Sequence, residues 1–483
     1  MIRINLPNRL PSFCYIMSLA FLVGCNVGPD YHRPDVETPV VYKESSSQWK
    51  MAAPADMADR GPWWLIFNDP VLNNLEERAT SCNQTIAIAQ SQHTQALAIV
   101  DEATSGFFPS LAASLGDAKS RTQSVNRSSS NASGVNSKPF NTASLGVQST
   151  WEVDLWGNIG RLVEADEAAA QASEAQVAAI RLSTQAMLAQ TYFQLRALDE
   201  GQSILEENIS SSEKFLRLTK NQYKAGMASQ LAVLQADAQL QAIKVQAIDN
   251  GVARAQYEHA IAVLTNYPPS NFSITRRPSR LTPPEIPLEI PSVLLERRPD
   301  IAQNERLMAQ ANAQIGVATS AFFPMITLSG SRTFQKKSFV HLLSAPAVAW
   351  SLGSQLTQTL FDGGARCAAI EAADAGYHAT VATYRQTVLT AFQDVEDNLS
   401  TLRILRAEYK AQDAAVISSQ KQLKFTMNAY KAGTASSLDV LNASANLFAS
   451  QRNALSIASR QMVAAVGLIK ALGGDYALDC KLQ

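Results

Sequence analysis

The side chains best suited to bond-making or metal chemistry are few in this chain and poorly placed for it. Its five histidines, His32, His93, His259, His341 and His378, are isolated and show no metal-ligand spacing. There is no Walker loop, no dinucleotide-binding glycine run and no Gly-x-Ser-x-Gly elbow, and Asp362-Gly363-Gly364 reads as a strand-to-helix turn. The chain is therefore expected not to be an enzyme. Cys82, Cys367 and Cys480 are too scattered for a disulfide framework or a zinc site; a single pair among them stays open. Cys25 is the one thiol whose surroundings point to a reaction.

Cys25 ends a segment built as a targeting signal. Arg3 and Arg9 give a positive start, residues 13–23 form an apolar stretch, and Leu22-Val23-Gly24-Cys25 has the pattern of a bacterial lipobox. That pattern implies cleavage before Cys25 and acylation of its sulfur and new amine. Buried acyl chains contribute about 0.8 kcal/mol per methylene, so several hold firmly. Asn26 follows where an aspartate would signal retention in the inner membrane, so the destination is the outer one.

The 483 residues carry 41 Lys plus Arg against 42 Asp plus Glu, a formal charge of −1, which argues against a nucleic-acid partner. Hydrophobic residues make up 46% and charged residues 17%, which points away from a disordered chain. No apolar run reaches the roughly 18 residues of a membrane helix. A membrane crossing would have to use strands.

The mature chain is a tandem repeat. Ser105-Gly106-Phe107-Phe108-Pro109 recurs as Ser320-Ala321-Phe322-Phe323-Pro324, and Leu155-Trp156-Gly157 followed by Arg161 recurs as Leu360-Phe361-Asp362 followed by Arg366. Tyr223-Lys224-Ala225-Gly226 returns as Tyr430-Lys431-Ala432-Gly433, and Leu231-Ala232-Val233-Leu234 as Leu438-Asp439-Val440-Leu441. Four anchors in one order mean a duplicated fold. The expected division is 1–24 signal peptide, 25–62 lipidated segment, 63–265 first repeat, 266–298 proline-rich connector, 299–472 second repeat and 473–483 tail.

In each repeat, two segments alternate with period two. Leu145, Val147, Trp151, Val153 and Leu155 oppose Ser144, Gly146, Gln148 and Thr150; Val348, Trp350, Leu352 and Leu356 oppose Ser351, Gly353, Gln355 and Thr357. Strands are expected over 107–121, 140–155, 322–334 and 347–361. One face is apolar and the other holds small polar residues, as a water-filled lumen allows. Four strands cannot close a barrel, since the smallest transmembrane ones need about eight. An open edge in lipid leaves backbone groups unsatisfied, so an oligomer must pool the strands.

The proline-free stretches from Gly160 to about Lys224 and from about Ala365 to Lys431 are rich in helix formers; some 60 residues span roughly 90 Å as helix. Each ends at Lys-Ala-Gly and a second helix follows. Leu441, Phe448, Leu455, Met462 and Ile469 repeat every seven residues, and Leu234, Gln241, Ile248, Ala255 and Ala262 repeat them weakly. The connector, with Pro268, Pro269, Pro278, Pro283, Pro284, Pro287 and Pro291, is expected to hold no helix.

Together these features resemble the outer membrane factor family of TolC-like channels, in its lipoprotein branch serving multidrug efflux pumps. Val27-Gly28-Pro29-Asp30-Tyr31 and Arg33-Pro34 follow the acylation site as in that branch. Trp63-Trp64, Phe67, Asp69-Pro70, Leu72 and Leu75 look like the family's entry into its first helix, and Leu294-Leu295-Glu296-Arg297-Arg298-Pro299-Asp300-Ile301 is similar to its mid-chain signature. The resemblance implies an α+β membrane protein: a homotrimeric, twelve-stranded transmembrane β-barrel continued by a long periplasmic α-helical barrel. It implies the passive exit duct of a tripartite pump, exporting drugs or other small molecules. These would arrive from an inner-membrane transporter of the resistance-nodulation-division type through a periplasmic adaptor. Metal efflux and type I protein secretion are the neighbouring readings; a structural coiled-coil outer membrane lipoprotein is the reading from another class. No cofactor is implied beyond the lipid on Cys25, and the membrane partner is outer membrane lipid.

The resemblance also marks sites. Ala225, Gly226, Ala432, Gly433 and Thr434 match the turns that dock the adaptor, although the same glycines would serve as ordinary helix caps. Leu438, Asp439 and Asn442 match the gate, where three copies of Asp439 would make an acidic ring; Asp439 is equally a helix-start carboxylate favoured by the dipole. Tyr430 matches a tyrosine that in some members bonds an aspartate of the first repeat, but that position here is Ala232.

Overall fold

A computed structural model describes residues 26–34, 61–120, 139–278, 283–284, 298–337 and 347–474. The expected signal peptide, Cys25, Cys480, most of the connector and nearly all of the tail lie outside the described residues. Two sets of elements follow one another, with helices that pair in length. The first half has α1 (Pro70–Cys82), α2 (Gln84–Ser105), β1 (Ser110–Ser120), β2 (Phe140–Val153), α3 (Asn158–Lys224) and α4 (Gln230–Leu264). The second has α5 (Pro299–Ser320), β3 (Met325–Lys336), β4 (Ala347–Thr357), α6 (Ala365–Lys431) and α7 (Ser437–Ala471). Helices α2 and α5 have 22 residues, α3 and α6 have 67, and α4 and α7 have 35, so the duplication is kept in backbone length.

One compact unit joins residues 94–171 and 305–382 with the described N-terminal segment. Its four strands form an antiparallel sheet in the order β1-β2-β3-β4. The register puts Leu115 opposite Leu145, Leu145 opposite Phe334, Trp151 opposite Leu328, Ile326 opposite Leu356, and Phe334 opposite Val348. Directly opposed residues share a face, so the apolar positions of all four strands form one surface. Gln148 with Ser331, Thr333 with Ala349 and Ser331 with Ser351 share the other, where the Ser331 and Ser351 hydroxyls are 2.9 Å apart. Charge on the apolar face (Asp117, Lys119, Arg332, Lys336) lies toward the loop-side ends of the strands. The apolar side is uncovered: Leu111 is 75% exposed and Leu352 79%. Strand β4 is exposed along its whole length.

The strands start later than the alternation suggested. β1 begins at Ser110 rather than 107 and β3 at Met325 rather than 322. In each case the preceding helix closes with a turn: Phe107 and Phe108 donate to Thr104 and Ser105 carbonyls at 3.1 and 3.0 Å, and Phe322 and Phe323 to Thr319 and Ser320 at 3.1 and 3.0 Å. Pro109 and Pro324 then offer no N–H to a ladder. β2 ends at Val153, not 155, because the Leu155 N–H turns back to the Val153 carbonyl at 3.0 Å. β4 ends at Thr357, not 361, because its partner β3 begins opposite it at Met325. At the loop side β1 stops at Ser120 and β3 runs on to Lys336.

The second unit, residues 35–93, 172–304 and 383–483, is mostly helical where described. Trp63, Trp64, Leu72 and Leu75 pack with Leu188, Tyr192 and Leu195 of α3, Ile261 of α4, Leu399 of α6, and Met462, Val466 and Ile469 of α7. Asp69 starts α1 by accepting from the Val71 N–H at 2.9 Å, with Pro70 at the first helical position. A buried ionic knot crosses this core. Asp199 takes Arg254 at 2.7 Å and Arg196 at 3.1 Å. Those guanidiniums also hold the carbonyls of Ile274 and Thr275 at 2.6 and 3.1 Å. The connector thus gains partners for backbone groups that no helix or sheet supplies. It does hold one helical turn against expectation, a 3-10 turn at Pro269–Asn271, which a proline can open because its missing N–H is not needed there.

Candidate functional site

The two Lys-Ala-Gly turns are built alike. In the first, the N–H groups of Ala225, Gly226 and Met227 donate to the carbonyls of Asn221, Tyr223 and Gln222 at 3.1, 2.9 and 2.8 Å. In the second, Ala432, Gly433 and Thr434 donate to Asn428, Tyr430 and Ala429 at 3.0, 3.1 and 2.9 Å. This is a Schellman closure, and it needs a left-handed residue: Gly226 has φ +75° and Gly433 φ +80°. A Cβ at either glycine would meet nothing within 4 Å. The glycines are there for backbone sign, and the space outside each turn is open. Ala225, Gly226, Ala432, Gly433 and Thr434 are all exposed.

The helices leaving these turns are capped differently. Ser229 accepts from the Ala232 N–H at 3.2 Å. Ser436 accepts from the Asp439 N–H at 3.2 Å, and the Asp439 carboxylate accepts in return from the Ser436 N–H at 2.9 Å and its hydroxyl at 2.7 Å. This reciprocal capping box exists only where the chain has Asp439 rather than Ala232. The Ser436 hydroxyl, then its backbone N–H, holds the Asp439 carboxyl below its ordinary range, so it is an anion at neutral pH. Leu438, Asp439 and Asn442 lie on one exposed face of α7, away from buried Val440 and Ala443. Tyr430 is buried against Phe215, ring centroids 5.4 Å apart, with its hydroxyl 3.4 Å from Thr219 Oγ1. Thr219 of α3 is thus the polar partner near the tip, in place of a link through Ala232; nothing in the repeat pattern marked it.

Elsewhere the described residues offer little chemistry. No group of three or more His, Cys, Asp or Glu that could hold a metal occurs among them. Cys82 and Cys367 are free thiols. The segment that follows Cys25 is fixed on the sheet unit: the Val27 N–H donates to the Trp156 carbonyl at 3.2 Å.

These features agree with comparisons to known proteins. The outer membrane efflux protein family matches residues 75–266 and 290–474. The pyoverdine export outer membrane protein OpmQ of Pseudomonas aeruginosa is 30% identical over 441 residues, covering 90% of this chain and 92% of that protein. The probable efflux pump outer membrane protein TtgC of Pseudomonas putida is 29% identical over 481 residues, covering 95% and 96%. The solved outer-membrane channel OprN superposes with a TM-score of 0.81 at 28% identity, covering 94% of this chain and 100% of that one. The chain belongs to the outer membrane efflux protein family: it is an outer membrane channel reaching into the periplasm, the exit duct of a tripartite pump, in which three four-stranded sheets make one twelve-stranded barrel.

Proposed function

We propose that this duct exports small organic molecules delivered by an inner-membrane transporter of the resistance-nodulation-division type. The duct itself rests on one observation above all, the sheet with both faces open and two unpaired edges, which has no stable place except in a shared barrel. Its polar face carries Ser, Thr, Gly and Gln, which touch a passing solute weakly, so selectivity falls to the transporter. The relatives are named for pyoverdine export and for an efflux pump, which supports cargo of that size. Lipid on Cys25 is the only attached group the reading requires.

The adaptor docks on the two exposed turns at Ala225, Gly226, Ala432, Gly433 and Thr434, where open space at the glycines lets another backbone come close. Leu438, Asp439 and Asn442 line the narrow end. Three copies of Asp439 there would concentrate anionic charge on the axis and draw cations into the opening. In planar bilayers, purified trimer carrying Asp439→Ala is expected to show altered single-channel conductance and weaker block by multivalent cations. Conductance and block identical to the parent protein would remove Asp439 from the gate. Export is read separately, by resistance to a panel of drugs and metal salts in cells lacking their own duct.

A further inference from the structure

The repeats differ at one pair of equivalent arginines. In the second, Arg366 closes a local loop with Asp362, four residues before it, at 2.6 Å, and Asp362 also accepts from the Gly364 and Arg366 N–H groups. In the first, the position of Asp362 is held by Gly157, at φ +75°. Asp154 instead receives the Gly160 N–H at 2.8 Å, so Arg161 has no local aspartate of that kind.

The N-terminal segment fills the gap. A Cβ on Gly157 would overlap the side-chain oxygen of Asn26. Arg161 is 2% exposed, and its guanidinium donates to the Val27 carbonyl at 3.1 Å, the Gly28 carbonyl at 3.3 Å, Asp30 at 2.9 Å and Glu164 at 2.8 Å. Asn312 donates to the Pro29 carbonyl at 2.9 Å. Two glycines clear the path. A Cβ on Gly28 would lie 2.5 Å from the Gly316 Cα, and one on Gly316 would lie 2.8 Å from the Arg161 Cγ. Gly28 also needs its φ of +98°. The exposed Asp30 carboxylate adds little by itself. The buried bonds to two main-chain carbonyls carry the fit, because a desolvated guanidinium needs every donor matched.

We propose that Arg161 is the receptor for this chain's own N-terminal strap: it seats residues 26–30, the segment that directly follows Cys25 in sequence, on the first strand-to-helix junction. The seating of a lipid rests on the reading of Cys25 as the acylation site. The junction lies at the helix side of the strands, so a lipid on Cys25 would begin one residue before the seated Asn26. Arg161 is a positioning residue here, and the second repeat, with Asp362 in place, has no equivalent seat.

The test uses the full-length trimer in outer membrane vesicles, with hydrogen–deuterium exchange of residues 26–34 as the readout and palmitate incorporation measured in parallel. Arg161→Ala is expected to speed exchange at Val27 about tenfold and Asp30→Ala by a smaller factor, while the strands exchange as before. Arg366→Ala is expected to leave the strap protected. If Arg161→Ala yields no trimer, Arg161→Lys takes its place: it keeps a positive charge but cannot serve both main-chain carbonyls, so it too is expected to speed exchange at Val27. Unchanged strap exchange in the Arg161 variant and in Asp30→Ala, or an equal rise in Arg366→Ala, overturns the seat. Parent protein without palmitate overturns the seating of a lipid, while the exchange data still decide whether Arg161 holds the strap.

Discussion

The two helical hairpins have the same lengths and nearly the same turn, yet they are fastened by different forces. The twenty-fifth residue is Arg254 in α4 and Gln461 in α7. Arg254 enters the ionic knot with Asp199, Glu258 and the Ile274 carbonyl. Gln461 makes a neutral bond at 2.8 Å to the Leu405 carbonyl of α6. Helix α7 buries its apolar side, including Ile457, Met462, Leu468 and Ile469, whereas α4 leaves Leu231, Val245, Ile248 and Val252 exposed. Duplication kept the geometry and freed the fastening to diverge. The first hairpin must hold the start of an irregular connector, and only charged side chains reach its orphan carbonyls. The second hairpin takes the connector's other end through one buried charge, Arg298, which bonds Asp394 of α6 at 3.2 Å and the Ala471 carbonyl of α7 at 3.4 Å, and along the rest of α7 it relies on packing.

Removing the centre of the knot should have the largest effect. Asp199→Ala leaves two buried guanidiniums short of a counter-charge, so a loss of about 3–5 kcal/mol is expected, read as a marked fall in the temperature at which detergent-resistant trimer dissociates. An unchanged melting temperature would erase the contrast between the hairpins. Next is the exposed stripe of α4. Ile248 is 76% exposed in the protomer, and a bare apolar stripe is expected to be covered by a neighbouring copy in the trimer, so Ile248→Asp should shift purified protein from trimer toward monomer in native mass measurements. If it stays trimeric, that stripe faces water in the assembly.

Glu76 sharpens the comparison from a third side. This carboxyl on α1 is fully buried and, unlike that of Asp199, has no hydrogen-bond partner among the described residues; burial alone pushes it well above the usual carboxylate range. A raised folded value means its favourable contribution is whole below about pH 4.5, the unfolded value, and is lost as pH climbs toward the folded one. Glu76→Leu should flatten that slope and raise the melting temperature at neutral pH, worth about 1–3 kcal/mol. A parent protein whose stability does not fall over that interval would contradict the assignment. The smallest change is expected from Gln461→Leu, about 0.5–1.5 kcal/mol, because the Leu405 carbonyl keeps its bond within the helix.

Much of this was legible in the residues, for identifiable reasons. Period-two alternation reports sheet faces directly, so Leu145, Trp151, Trp350 and Leu352 could be placed on one surface before any register was known. The Lys-Ala-Gly steps gave both turns because a left-handed closure admits few residues besides glycine. Strand starts were misplaced by three residues because Phe107 and Phe322 fit an apolar alternation whether they pair or turn; Pro109 and Pro324 were the clearer sign. The knot was illegible, since Arg196, Asp199 and Arg254 look like solvated helix charges until two helices and the connector converge. Thr219, the polar partner of Tyr430, gave no signal for the same reason. Arg161 was visible as a repeated residue, but its role depends on what is missing beside it: a glycine where the other copy has aspartate.

The sheet's uncovered edges bear on the order of events in making this protein. β1 and β4 each keep one side of their backbone unpaired within a single chain, and the greasy surface between them is bare. A solitary copy crossing the periplasm therefore has no finished fold to wait in. Ring closure and entry into the bilayer must happen together, and any mutant slow at one will pile up as bait for proteases before it reaches the other.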